Sequence, residues 1–80
     1  MPKLPRISGQ DAIRFLECMG FHKVRQRGSH VVMRRGDRGC VIPLHSELAI
    51  GTLRGALRQA RTSPEELIAA YEQYVSSHPG

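Results

Sequence analysis

The sequence predicts an α+β fold: a three-stranded antiparallel sheet covered on one face by helices. Apolar residues recur at helical spacing near both ends of the chain, and three short runs in the middle alternate with a period of two. Glycine-containing turns separate those runs, and connections that short join antiparallel neighbours, because parallel strands need a long crossover. A chain of 80 residues buries roughly 60–65% of the surface its unfolded form exposes, enough for one thin core. All the helices must therefore share one face of the sheet.

The first helix is expected over about residues 8–19. Ser8 is placed as N-cap with Asp11 three residues later, and Ala12, Phe15, Leu16 and Met19 follow at helical spacing. Gly20 supplies the left-handed position that ends a helix, and Phe21 can fold back on the last turn.

Three strands follow: His22–Arg27, His30–Arg35 and Cys40–Pro43. Gly28-Ser29 and Gly36-Asp37-Arg38-Gly39 are the turns, and Pro43 marks a strand end or an edge. Period-two alternation places Val24, Val31 and Met33 under the helices. The open face would then collect Lys23, Arg25, Arg27, His30 and Arg34, with Val32 among them.

Ile50, Leu53, Leu57 and Ala60 predict a second helix, with Arg54, Arg58 and Arg61 on its solvated side. Gly55 within it suggests a close backbone approach. Ser63-Pro64-Glu65-Glu66 is a helix start, followed by Leu67, Ile68, Tyr71, Tyr74 and Val75 as an apolar face. The tail from Ser76, which holds His78, should fray. The resulting order, α-β-β-β-α-α, is that of a double-stranded-RNA-binding domain with a helix added.

Charge is uneven along the chain. All 12 Lys and Arg lie within residues 1–61 with four acids, Asp11, Glu17, Asp37 and Glu47, a balance of +8. Residues 62–80 hold Glu65, Glu66 and Glu72 and no base, a balance of −3. That asymmetry is the footprint of a polyanion binder. No apolar run is long enough to span a bilayer, and the opening Met-Pro-Lys-Leu-Pro-Arg has no signal-peptide core, which points to the cytoplasm. Cys18 and Cys40 are expected as buried, reduced thiols.

His30 is the residue with chemical promise, because it follows a Gly-Ser turn beside arginines. Histidine ordinarily titrates near pH 6.5 and can exchange a proton at neutral pH. In RNA it could take the 2′-hydroxyl proton, while arginines hold the phosphate that the freed oxygen attacks. Gly28 and Ser29 would serve the turn. His45 is read two ways, as a loop-pinning hydrogen bonder or a second site residue, and His22 as a strand-edge residue. Metal-ligand spacing is absent, since neither a C-x-x-C nor a helical H-x-x-x-H pair occurs, so no metal or cofactor is expected. The four aromatics fit helix faces or caps as core residues, so backbone contact rather than base stacking should dominate any RNA binding.

The run Gly20-Phe21 … Arg25-Gln26-Arg27-Gly28-Ser29-His30 resembles the signature of the HicA toxins, also called the YcfA-like family. Val41-Ile42-Pro43-Leu44-His45, Gly51-Thr52-Leu53-Arg54 and the opening Pro5-Arg6-Ile7-Ser8-Gly9 are similar to further blocks of that family, in the same order. The length predicts a single domain over 1–80; the resemblance covers its core at about 5–62, and an extra C-terminal helix is expected at about 63–77. The resemblance implies a double-stranded-RNA-binding-like fold, mRNA cleavage that arrests translation, and a HicB antitoxin covering the site. The family's catalytic histidine follows a Gly-Ser pair, which maps to His30; its Pro-x-His block maps to His45. Two features depart from the common pattern: Ser46-Glu47-Leu48-Ala49 lacks basic residues, and the last helix is longer. The alternatives are a non-catalytic double-stranded-RNA-binding module, and an adaptor whose basic face docks an acidic protein.

Overall fold

The computed structural model describes Leu4 and residues 6–77. Its elements run α1 (Gly9–Cys18), β1 (His22–Arg27), β2 (His30–Arg35), β3 (Arg38–Pro43), α2 (Ile50–Gln59) and α3 (Pro64–Ser77). The three strands form one antiparallel sheet in the order β1-β2-β3, as the turn lengths predict. His78 and Pro5 lie outside the described residues.

Both ends of α1 are closed by the chemistry that marked them. The Ser8 Oγ accepts the Asp11 N–H at 3.0 Å, satisfying one of the donors a helix start leaves unpaired. At the other end Gly20 takes φ +94°, and the Phe21 N–H reaches back to the Leu16 carbonyl at 2.9 Å. This six-residue closure carries Phe21 into the core, where it is fully buried.

The same closure ends α2 with a different residue. The Thr62 N–H donates to the Leu57 carbonyl at 2.9 Å, and Arg61 takes the left-handed position at φ +56°. A side chain there costs roughly 1–2 kcal/mol relative to the right-handed region. Three contacts from two guanidinium groups fix it. The Arg38 guanidinium donates to the carbonyls of Ala60 (3.1 Å) and Arg61 (2.6 Å). The Arg61 guanidinium in turn lies 2.8 Å from the Asp37 carboxylate, holding that carboxyl below its ordinary range. Arg38 and Gly39 therefore belong to β3 rather than to the turn, and the β2–β3 loop shrinks to Gly36-Asp37.

α1 and α2 pack on one face of the sheet, against Val31, Met33, Cys40 and Ile42, all buried. α3 starts on Ser63, whose Oγ accepts the Glu66 N–H at 3.2 Å, while the Thr62 hydroxyl donates to the Glu66 carboxylate. It packs on α1 rather than on the sheet. Leu67 and Ala70 are buried there, and Phe15 meets Tyr71 and Tyr74 edge to face, with ring centroids 5.1 and 5.5 Å away. The apolar face predicted for α3 is thus only partly used, because Val75 is 47% and Tyr71 36% exposed. Cys18, expected to be buried, is exposed near the end of α1, whereas Cys40 is buried and its thiol is pushed up to about 11 by that burial.

Gly55 corrects another expectation: a Cβ there would meet nothing within 4 Å. The close approach occurs at Gly9. A Cβ at Gly9 would sit 2.1 Å from the Pro43 carbonyl oxygen.

Candidate nucleic-acid interface

The face of the sheet away from the helices is set by the strand register. In an antiparallel pair, directly opposed residues share a face. Arg25 pairs with Val32, Arg27 with His30, and His22 with Arg34; His30 also pairs with Pro43, and Val32 with Val41. Since Val31 and Met33 are buried beneath the helices, His30, Val32 and Arg34 point the other way, with their partners.

Period-two reasoning fails in β1 because the strand contains a bulge. The pairing jumps from Lys23↔Met33 to Arg25↔Val32, leaving Val24 as the extra residue. Val24 therefore does not pack under the helices; it is 55% exposed. It lines a shallow open-face groove of about 370 Å³ with Arg25, Val32 and Arg34. Lys23, opposite Met33, falls on the helix side of the register rather than with the open-face cations. All six residues of β1 are exposed, as befits an edge strand.

His30 closes the first hairpin. Gly28, at φ +56°, takes the first place of the two-residue turn, a conformation that favours glycine. The Gln26 side-chain amide donates to the Gly28 carbonyl at 3.0 Å, and the Ser29 carbonyl accepts the Leu44 N–H at 2.7 Å. The turn before His30 is thus tied on both sides. His30 is exposed, with Arg27 across the turn and Pro43 on its other flank. His45 is exposed two residues beyond Pro43, and its carbonyl accepts the Gly9 N–H at 2.9 Å. His22 stands at the far end of the hairpin, opposite Arg34.

The open face therefore brings together Arg25, Arg27, His30 and Arg34, and it separates Lys23 from them. It also carries three valines, Val24, Val32 and Val41, of which period-two alternation predicts only Val32 there. The lone signal for Val24 would have been a bulge, and nothing in the composition of His22–Arg27 announces one. Among the described residues, no group of three or more His, Cys, Asp or Glu could hold a metal ion. No helix among them is long and apolar enough to cross a membrane.

Fold and site together define a small α+β protein with a basic, helix-free sheet face and a histidine at the mouth of its first hairpin. A family model described as HicA toxin of bacterial toxin-antitoxin matches residues 9–61, more than half of the chain. The chain belongs to the HicA toxin family, the toxin component of a toxin–antitoxin pair. The match runs from the first residue of α1 to Arg61, the left-handed residue that closes α2, and leaves α3 outside. Neither the comparison with curated proteins nor that with solved structures gave a match.

Proposed function

We propose that the protein is a metal-independent endoribonuclease that cuts mRNA, with His30 as general base. The observation that carries this reading is the pairing of His30 with Arg27 across the Gly28-Ser29 turn. It puts an imidazole beside a cation suited to phosphate.

In the reaction, the His30 imidazole takes the proton of a ribose 2′-hydroxyl. The freed oxygen attacks the adjacent phosphorus, the bond from phosphorus to the 5′-oxygen breaks, and a 2′,3′-cyclic phosphate remains. Arg25, Arg27 and Arg34 hold the phosphate and oppose the negative charge that grows on it. An arginine stays charged throughout, so it serves as clamp and not as proton donor. His45 is a second site residue. Lys23 has no place in this cluster, given its register opposite Met33. A HicB-type antitoxin, presenting acidic groups to the same face, would neutralise the toxin in the cytoplasm by covering His30.

Labelled RNA incubated in EDTA with the wild type and with His30→Ala tests the proposal. His30 is exposed, so the variant should fold normally and lose cleavage. RNA that is retarded but never shortened by the wild type would instead identify a non-catalytic binding module. Undiminished cutting by His30→Ala would remove His30 from the chemistry.

A further inference from the structure

We propose that His45 performs the second proton transfer of the reaction, protonating the leaving 5′-oxygen, and that Gly9 holds the segment that carries it. The inference rests on the ribonuclease reading above. Its starting point is the segment from Pro43 to His45, which is fixed on both sides by backbone contacts. On one side Pro43 pairs with His30, and the Leu44 N–H donates to the Ser29 carbonyl at 2.7 Å. On the other, the Gly9 N–H donates to the His45 carbonyl at 2.9 Å.

Glycine at position 9 is what permits the second attachment. A Cβ there would lie 2.1 Å from the Pro43 oxygen and 3.0 Å from the Leu44 Cα. Both atoms belong to the backbone, so no side-chain rotation could make room. Gly9 opens a right-handed helix, so only the approach, and not a special φ, demands glycine here. The hydrogen bond also uses an N–H that the first turn of a helix leaves without an internal partner. α1 is thereby locked to the strip of chain that runs beside the His30 turn.

The chemistry needs a group in that position. The 2′-oxygen gives its proton to His30 as the O2′–P bond forms, and the departing O5′ must gain a proton as the P–O5′ bond breaks. Arginines cannot supply it, and histidine is the side chain whose ordinary pKa lies near neutrality. Among the described residues the other candidates are His22 and His45. His22 sits at the opposite end of the hairpin, across from Arg34. His45 is exposed, and its segment is tied directly to the turn that carries His30.

Two substrates separate this role from a structural one: ordinary RNA, and RNA whose scissile 5′-oxygen is replaced by sulfur. A thiolate leaves without being protonated, so loss of the acid matters only for the oxygen substrate. His45→Ala is expected to slow cleavage of ordinary RNA by about 10²- to 10⁴-fold and to cut the sulfur substrate close to the wild-type rate. His30→Ala should be impaired on both. Gly9→Ala, shown to be folded by circular dichroism, should reproduce the His45→Ala pattern in kcat with KM little changed. Equal losses on both substrates, or unchanged rates, for His45→Ala would overturn the assignment, whether or not Gly9→Ala folds. A folded Gly9→Ala with wild-type rates would remove Gly9 from the argument. Wild type that cuts neither substrate would instead strike at the ribonuclease reading itself.

Discussion

Arg27 and His30 face one another across the two-residue Gly28-Ser29 turn, the closing pair of the first hairpin. A two-residue turn fixes register, so the guanidinium and the imidazole are held as neighbours by backbone geometry rather than by a flexible loop. That arrangement distinguishes the open-face arginines from Lys23, which shares β1 with Arg25 and Arg27 but pairs with Met33.

The first prediction follows from this difference. On an uncleavable 2′-O-methyl strand, Arg27→Ala should weaken binding and flatten the dependence of log K on log salt by roughly 0.7, the value for one lost phosphate contact on a single strand. Arg25→Ala and Arg34→Ala should behave alike. Lys23→Ala should leave the slope nearly unchanged. A Lys23 effect equal to that of Arg27 would mean that RNA does not follow the open face.

Bulge geometry makes a stability prediction. Met33 is fully buried, so Met33→Ala should cost about 2–5 kcal/mol in denaturant unfolding. Val24, at the bulge and 55% exposed, should tolerate threonine at a cost within about 0.5 kcal/mol. Comparable losses at both positions would place Val24 in the core and contradict the register.

Gly55 sits inside α2 with free space where a Cβ would go. Gly55→Ala should therefore stabilise the fold by roughly 0.5–1 kcal/mol, read as a higher melting temperature. Destabilisation would reveal a contact at Gly55 that the monomer does not contain.

The two cysteines should differ in reactivity. Exposed Cys18 should react with a thiol reagent in the native protein, and buried Cys40 only after unfolding. Cys40 also sets an alkaline limit. Its thiol, ordinarily near 9, is raised to about 11 in the folded chain. As pH rises from 9 toward 11 the unfolded chain releases a proton that the folded chain keeps, so stability falls across that window. Below it the contribution is fully present. The melting temperature of wild type should drop more steeply there than that of Cys40→Ala, and parallel curves would contradict the shift.

Much of this architecture can be read from local chemistry. Ser8 and Gly20 bracket α1, Ser63-Pro64 opens α3, and the glycine turns set the antiparallel order. Those signals act within a few residues and are visible in a single line of sequence. What escaped depends on distant partners. The bulge at Val24 is an extra residue fixed by pairing with β2, and a period-two reading cannot register it. Gly9 and Gly55 look alike in sequence, and only the packing of α1 on the end of β3 separates a required glycine from a spare one. Arg38 reads as a turn residue until the end of α2 supplies the carbonyls it binds. The position of His30, by contrast, can be read locally, because the Gly28-Ser29 turn that sets it opposite Arg27 spans two residues.

The most direct test of the central claim, that His30 removes a 2′-hydroxyl proton, is cleavage of an RNA with one 2′-deoxyribose on the 5′ side of the scissile phosphate. Assayed in EDTA, the all-ribose strand should be cut there to a 2′,3′-cyclic phosphate, and the substituted strand should survive at that position. Cleavage at the deoxy position, or cleavage of the ribose strand only after a divalent metal is added, would contradict the account.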